Sequence, residues 1–237
     1  MESPQHYWNT KHPKVPQVYE GRYVPKSRKV ISTDVRRFIW ANDTILNNVL
    51  SDEILPAFKR GDRASYDGMA WCVQQWVTNG KWRGGKRKGK PIATYVGDKK
   101  ARGHNEFWQY PNETLALGTA DCEDGSFLIA SLLLVSGVPA WRVRVAAGWV
   151  KAGEGAEQGG HAYCCYIRET DNQPVVLDWC YLEDSDTPVP RKRLLRDKRE
   201  YGATWFSMNN LTAWSHVLHS LTGRIRDYKD PRHKHGQ

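Results

Sequence analysis

The feature that most constrains this chain is the segment 122–136, CEDGSFLIASLLLVS, which is almost continuously apolar after its acidic start. Gly137 and Pro139 follow it, and these two residue types commonly end a helix. A helix that is apolar on every side has to be buried in the middle of a core. A chain of 237 residues can build one such core, so we expect a single domain around this helix.

The elements around this helix predict an α+β fold. Apolar spacing at threes and fours predicts helices over 34–59 and 64–79, and 111–118 resembles a short helical turn. Strand patterns follow the apolar helix. They lie at 141–150, 161–168 and 175–181. We therefore expect N-terminal helices first, then the buried helix packed on an antiparallel sheet.

The ends of the chain differ in character from its middle. Residues 1–30 are rich in Pro, Lys and Tyr without periodicity, which predicts an arm that is extended or packed across the surface. The domain itself is expected over 31–222. Residues 223–237 form a basic, polar tail that is expected to be disordered.

The cysteines and the N-terminus indicate a reducing compartment. There are five cysteines, two of them adjacent (Cys164 and Cys165), which argues against a disulfide framework. No apolar run follows the polar N-terminus, so no signal peptide is expected, and no stretch is long enough for a transmembrane helix. These features favour a cytoplasmic protein, or one that a virus brings there, with no membrane partner.

The chain is basic, with a formal net charge of +9. Two runs carry much of the positive charge, KWRGGKRKGK at 81–90 and RKRLLRDKR at 191–199. Such runs can hold nucleic acid or another acidic polymer. They are also common in solvated surface loops, and the sequence leaves both interpretations open.

Cys122 lies where a helix would activate a thiol. It falls in the first turn of the apolar helix, with Asp121 as a predicted N-cap and Asp124 placed to close a capping box. Free amide groups and the positive end of the helix dipole stabilise a thiolate there. The neighbouring acids raise the pKa of the thiol instead, so an imidazolium or a bound cation would be needed to offset them.

His161 and Asp178 are the candidate partners of this thiol. His161 opens a predicted strand, and Asp178 lies near the end of the next one among apolar residues, where a carboxylate needs a hydrogen-bond partner. Together the three residues provide a nucleophile, a base and an orienting acid. Contact between His161 and Asp178 requires a turn over 168–171, because a turn centred on 171–172 would leave them four residues out of register.

The segment FWQYPNETLALGTADCEDGSFLIASLLLVSGVPAWRV resembles the core of bacterial transglutaminase-like cysteine proteases, a family of the transglutaminase-like superfamily with a papain-like fold. The resemblance covers residues 105–181. Later blocks around His161 and Asp178 match as well. Ala120 and Gly125 depart from the family pattern. The residues that carry the main match are Trp108, Pro111, Glu113, Thr114, Leu115, Asp121 to Asp124, and Gly137 to Pro139.

The resemblance implies a thiol hydrolase that cleaves peptide or isopeptide bonds through Cys122, His161 and Asp178 and a thioester. It also implies that Asp121, Glu123 and Asp124 bind calcium, as these positions do in some members. The alternative, to which we give equal weight, is that Asp121 and Asp124 only cap the helix. The backbone N–H of Cys122 is expected to donate to the oxyanion. Trp108, Gln109 or Tyr110 would supply the second donor, and Gln109 is preferred.

The sequence leaves two alternatives open and disfavours a third. The same triad supports transfer of a glutamine acyl group to an amine, as in transglutaminases. The chain could also be a non-catalytic binding or virion component that keeps the fold and uses its basic runs. A zinc site made of His161, Cys164, Cys165 and Cys180 is disfavoured, because His161 and Cys165 would lie about 13 Å apart along an extended strand.

Overall fold

The computed structural model describes residues 4–13, 18–23, 30–80, 91–151, 157–181 and 183–215. The helices are Pro4–Lys11 (α1), Thr44–Asn48 (α2), Leu55–Ala57 (α3), Tyr66–Asn79 (α4), Asp98–Arg102 (α5), Pro111–Leu117 (α6) and Cys122–Val135 (α7). The strands are Val18–Tyr23 (β1), Val30–Asp34 (β2), Thr94–Tyr95 (β3), Thr119–Ala120 (β4), Val143–Val150 (β5), Gly159–Ile167 (β6), Pro174–Leu177 (β7), Tyr201–Met208 (β8) and Ala213–Ser215 (β9). The predicted α+β class, with the helix at Cys122 packed on an antiparallel sheet, is confirmed.

Helix α7 lies at the centre of the core. Its residues from Glu123 to Leu134 are all buried, as expected for a helix that is apolar on every side. It packs on β5 and β6 on one side and on α4 and α6 on the other. Ser65 caps the N-terminus of α4 and Gly80, with φ of 50°, ends it. The sheet and the flanking helices therefore hold the start of α7 in a fixed place.

The main sheet has the strand order β7-β6-β5-β8-β9, with every pair antiparallel. Both of its faces are covered. Cys164 points into the main core with α7, whereas Cys165 points to the other face and joins a smaller cluster with Trp8. The two adjacent thiols therefore lie on opposite faces as expected, and both are buried core residues.

The N-terminal segment is more than a surface arm in the parts that the structure describes. Helix α1 places Trp8 on the outer face of the sheet, where its indole N–H donates to the Trp141 carbonyl at 2.6 Å. Strand β1 pairs with β2, and Tyr19 is buried against Trp108. These contacts depend on single aromatic side chains, so the segment shows no periodicity that the sequence could reveal.

The predicted helix over 34–59 begins later than expected. Asp34 ends β2, a 3-10 turn spans Val35–Phe38, and the helix starts at Thr44, where the Asp43 carboxylate accepts the Leu46 N–H. A π-helical segment, Val49–Ile54, joins α2 to α3. The other 3-10 turns are Arg60–Arg63, Ala140–Arg142, Val189–Arg191 and Leu195–Asp197.

In the part of the chain that the structure describes, no helix has the length and apolar character needed to cross a bilayer.

Candidate active site

The Cys122 sulfur lies at the start of α7 beside strand β6. Its S–H donates to Glu123 Oε2 at 3.1 Å, and the backbone N–H of Ala162 acts to lower its pKa. The Ser126 hydroxyl bridges the two elements, since it lies 2.7 Å from the Cys122 carbonyl and 3.2 Å from the Ala162 carbonyl. The first turn of α7 is therefore fixed against the residue that follows His161.

His161 and Asp178 form a buried pair. His161 Nε2 lies 2.7 Å from Asp178 Oδ2, and the Asp178 side chain is fully buried. Burial alone would raise the pKa of Asp178, but hydrogen bonds from His161, Tyr201 and the Cys180 N–H hold it below its usual value. The carboxylate is therefore ionised at neutral pH and fixes the orientation of the imidazole.

The strand register brings this pair together in a way the sequence did not predict. Strand β6 pairs with β7 so that Cys164 faces Leu177. If this register were extended past the last pair, residue 180 rather than Asp178 would stand opposite His161, a difference of two residues. The turn is thus one residue later than the predicted turn over 168–171. Contact is still made, because diagonal neighbours two residues apart lie within reach of long side chains, and the ladder itself ends at Leu177.

Tyr201 is a partner of Asp178 that sequence reasoning missed. Its hydroxyl donates to Asp178 Oδ2 at 2.7 Å from strand β8, and its ring packs edge-on against Tyr163. The two main-chain N–H groups of Cys180 and Tyr181 donate to the other carboxylate oxygen, at 3.2 and 3.3 Å. No local motif marks Tyr201, because it reaches the site through sheet pairing rather than through sequence spacing.

Trp179 closes the site from the side of α7. Its indole N–H lies 3.2 Å from both the Asp121 and the Cys122 carbonyl oxygens. Gly125 makes this close approach possible, because a Cβ there would lie 2.3 Å from Cε2 of the indole ring. The departure from the family pattern at Gly125 thus has a steric reason in this chain.

Replacement of Gly125 by alanine is expected to destabilise the protein. A Gly-to-Ala change inside a helix normally gains about 1 kcal/mol. Here the added methyl group would collide with a buried ring, and overpacking of this kind costs about 1–3 kcal/mol. Thermal unfolding should show a lower midpoint for Gly125→Ala than for Gly61→Ala, where the added Cβ meets nothing within 4 Å. A higher midpoint for Gly125→Ala would contradict the packing described.

A cluster of buried carboxyl groups lies behind Cys122. Asp98, Asp121 and Asp124 have carboxylate oxygens within 4.8 Å of one another, and so do Asp98, Glu106 and Glu123. Sequence reasoning identified three of these five residues. It missed Asp98 and Glu106, which the tertiary fold brings in from α5 and the loop after it. Asp121 Oδ1 is buried without a hydrogen-bond partner.

Mutual repulsion and burial perturb this cluster strongly. Burial first, and the charges of neighbouring acids second, raise the pKa of Asp98 to about 7 and that of Asp121 to about 9. Burial also raises the pKa of Asp124 to about 6 and the pKa values of Glu106 and Glu123. The cluster therefore holds protons at neutral pH unless a cation replaces them.

The same surroundings raise the pKa of Cys122 to about 12. Burial is the largest cause and the charge of Asp121 is the next, while the Ala162 N–H acts in the opposite direction. The thiol is therefore neutral while the acids are uncompensated. This agrees with the expectation from the sequence that the adjacent acids oppose activation.

Gln109 does not serve as the predicted oxyanion donor. Its amide nitrogen donates to Asp124 Oδ2 and to the Thr119 carbonyl, and its backbone N–H donates to Asp124 Oδ1 at 2.7 Å. Arg102 donates to its Oε1 at 3.0 Å. Its side-chain and backbone N–H groups are thus used on Asp124 and on the Thr119 carbonyl, so Gln109 holds Asp124 in place.

The basic run at 191–199 is partly internal. Lys192 and Lys198 are buried, and both ammonium groups bind Asp184, at 2.7 and 3.1 Å. Arg193 and Arg196 remain exposed. Fewer charges are thus available to an acidic partner than the sequence suggests. The run at 81–90 and the tail at 223–237 lie outside the described residues.

No family model and no curated protein matches the chain. Among solved structures, calcium-bound LapG of Legionella pneumophila is 18% identical over 62% of this chain and 67% of that chain, with a TM-score of 0.44. LapG and EGTA-treated LapG of the same organism are each 16% identical over 75% of this chain, with TM-scores of 0.41. These two matches cover 88% and 86% of the LapG chains. Since these values are low, the likeness assigns neither a family nor an activity, and the function is inferred from the site.

Proposed function

We propose that this protein is a thiol hydrolase that cleaves amide bonds of protein or peptide substrates, with Cys122 as nucleophile, His161 as base and Asp178 as orienting acid. The observation that carries the proposal is the buried His161–Asp178 pair, held at 2.7 Å on the strand whose next residue, Ala162, is linked to Cys122 through the Ser126 hydroxyl. Buried ion pairs also occur in purely structural roles, but this pair lies on the strand next to Cys122, a partly exposed thiol at the start of a helix.

The proposed mechanism assigns one nitrogen of His161 to each neighbour. Because Nε2 binds Asp178, Nδ1 is the nitrogen that accepts the Cys122 proton. The sulfur then attacks the substrate carbonyl carbon, and the imidazolium returns the proton to the departing amine. Water, deprotonated by the same nitrogen, hydrolyses the thioester and restores the thiol. The N–H of Cys122, in the first turn of α7, is the proposed donor to the oxyanion.

We further propose that the acidic cluster binds calcium. The donor set fits this ion, since it consists of carboxylate oxygens, which calcium prefers, and since one buried oxygen of Asp121 lacks a partner. Asp98, Asp121 and Asp124 would hold the ion, with Glu106 and Glu123 next to them. When bound, the positive charge would offset that of Asp121, which is the main charge that raises the pKa of Cys122.

Calcium is expected to stabilise the protein more at pH 8 than at pH 6. The pKa values of Asp124, Asp98 and Asp121 are higher in the folded protein, at about 6, 7 and 9, than in the unfolded chain. Without a cation, the contribution of these groups to the free energy of unfolding is therefore complete below about pH 4 and is lost as the pH rises through their folded pKa values. Calcium binds the deprotonated groups and removes this loss. At free calcium 100 times its Kd the gain is about 2.7 kcal/mol, which corresponds to about 5–10 °C in Tm for a chain of this size.

Thermal unfolding with calcium and with a chelator, at both pH values, measures this difference. Asp98→Asn should reduce the response, because Asp98 belongs to both carboxylate groups of the cluster. Asp43→Asn is the matched control, since asparagine also caps a helix and Asp43 caps α2 away from the cluster. Equal Tm values with calcium and chelator at pH 8 would rule out the ion.

The hydrolase proposal is tested with a library of fluorogenic peptide amides, incubated with the calcium-loaded protein. Release of the fluorophore that requires Cys122 supports it. A parallel reaction contains a glutamine-rich protein and a fluorescent primary amine, because amine incorporation would show that acyl transfer is the main reaction. The absence of both products, together with a Cys122 that reacts no faster than a buried thiol, would contradict both forms of the proposal.

A further inference from the structure

Cys180 lies at the catalytic centre, although the proposed mechanism does not use its side chain. It follows Asp178 just after β7 ends, and its backbone N–H donates to Asp178 Oδ1 at 3.2 Å. One ring nitrogen of His161, one carboxylate oxygen of Asp178 and the Cys180 sulfur all lie within 4.8 Å of one another. Cys180 is partly exposed and carries a free thiol. A nitrogen, a sulfur and an oxygen donor thus converge at the mouth of the site.

The donors of this group differ in type from those of the acidic cluster. A thiolate and an imidazole are donors that zinc and similar borderline-soft cations select, whereas the carboxylate cluster behind Cys122 suits a hard cation. The two groups of ligands therefore differ in the type of ion they select.

The orientation of His161 also suits a metal. Imidazoles that bind zinc usually donate their second N–H to a carboxylate, which fixes the ring and raises its basicity. Asp178 already occupies this position at 2.7 Å from Nε2 and is itself held by Tyr201 and two main-chain N–H groups. The contact that orients the base for catalysis therefore also prepares its free nitrogen for a cation.

We propose that His161 and Cys180, whose ligand atoms lie within 4.8 Å of each other, form a binding site for zinc or a similar soft divalent cation that inhibits the enzyme, with Asp178 holding the imidazole in place. Binding removes the thiol proton of Cys180 to solvent and occupies the imidazole nitrogen that would accept the Cys122 proton. The inhibitory consequence rests on the proposed hydrolase function, whereas the metal site itself does not.

Cobalt, a spectroscopic substitute for zinc, tests the site in the full chain. The reduced protein is titrated with Co²⁺ in excess calcium, which saturates the carboxylate cluster, and thiolate-to-cobalt absorption is recorded. One equivalent is expected to bind to the wild type. Cys180→Ala should weaken binding by more than about tenfold, since loss of even an outer-shell partner costs roughly 10–100-fold. Cys72→Ala, which removes a buried thiol on α4, should bind as the wild type does.

Unchanged cobalt affinity and absorption in Cys180→Ala would overturn the proposal. Cys180→Ser provides a second variant of similar size, in case the alanine variant does not fold. In a second experiment, zinc inhibition of peptide hydrolysis is measured relative to each variant's own uninhibited rate, and Cys180→Ala should require more than about tenfold more zinc. Equal zinc sensitivity would overturn the inhibitory role. If the wild type hydrolyses no substrate, the cobalt titration still decides the metal site, so the two failures are distinguishable.

Discussion

Replacement of Cys122 by alanine is expected to lower kcat for peptide-amide hydrolysis by about six orders of magnitude, the loss that follows removal of the nucleophile from a triad. Neither Cys180 nor the buried thiols are expected to substitute for it, because among the five thiols Cys122 is the one at the first turn of α7. The measurement is single-turnover hydrolysis of the best peptide amide, with calcium present and with folding verified by circular dichroism.

The change should leave the fold intact, since the Cys122 side chain is partly exposed and the Ala162 N–H can bind water in its place. Cys72→Ala is the matched control, because it removes a thiol from the core of α4 and should keep nearly full activity. A Cys122→Ala protein that is folded and retains more than a small fraction of the activity would show that another group is the nucleophile.

Replacement of Asp178 by asparagine is expected to lower kcat by about four orders of magnitude. The volume is unchanged, but the asparagine amide can donate to Nε2 of His161 and thereby place the imidazole proton on Nδ1. That nitrogen then cannot accept the proton of Cys122. The expected pattern in steady-state kinetics is a large loss in kcat with little change in KM, because Asp178 is fully buried and does not touch the substrate.

Tyr201→Phe separates this tautomer effect from simple loss of packing. It keeps the ring against Tyr163 and removes only the hydroxyl that lies 2.7 Å from Asp178. A hydrogen bond to a charged group is worth about 1.5–3 kcal/mol, so a loss of roughly ten- to hundredfold is expected. If Asp178→Asn lowers kcat by no more than Tyr201→Phe does, Asp178 does not set the tautomer of His161.

The sequence was most informative where the signal is local. The apolar helix after Cys122, the helix over 66–79 and the sheet that follows depend on periodicity and on caps, which neighbouring residues determine. The candidate residues Cys122, His161 and Asp178 stand out because each lies at or near the start or end of such an element. Their chemical roles stay predictions that the experiments above test.

Tertiary pairing determines what the sequence could not reveal. Asp98 and Glu106 complete the acidic cluster from a separate segment, and Tyr201 reaches Asp178 across strands β8, β5 and β6. Gln109 was misassigned for the same reason, because its position before α6 indicates a site residue but not that Asp124 takes its donors. The contacts of Trp8 and Tyr19 with the domain were hidden as well, since single aromatic contacts leave no pattern in the sequence.

The most direct test of the central claim is the rate at which iodoacetamide alkylates each of the five thiols across pH, with calcium or with a chelator, read by peptide mass spectrometry. Burial raises the pKa values of all five thiols, so activation has to appear as a departure of Cys122 from the others. The account predicts that calcium accelerates alkylation of Cys122 near neutral pH and that His161→Gln abolishes this acceleration. A Cys122 rate that is the same with calcium or chelator, and the same in the wild type and His161→Gln, would contradict it.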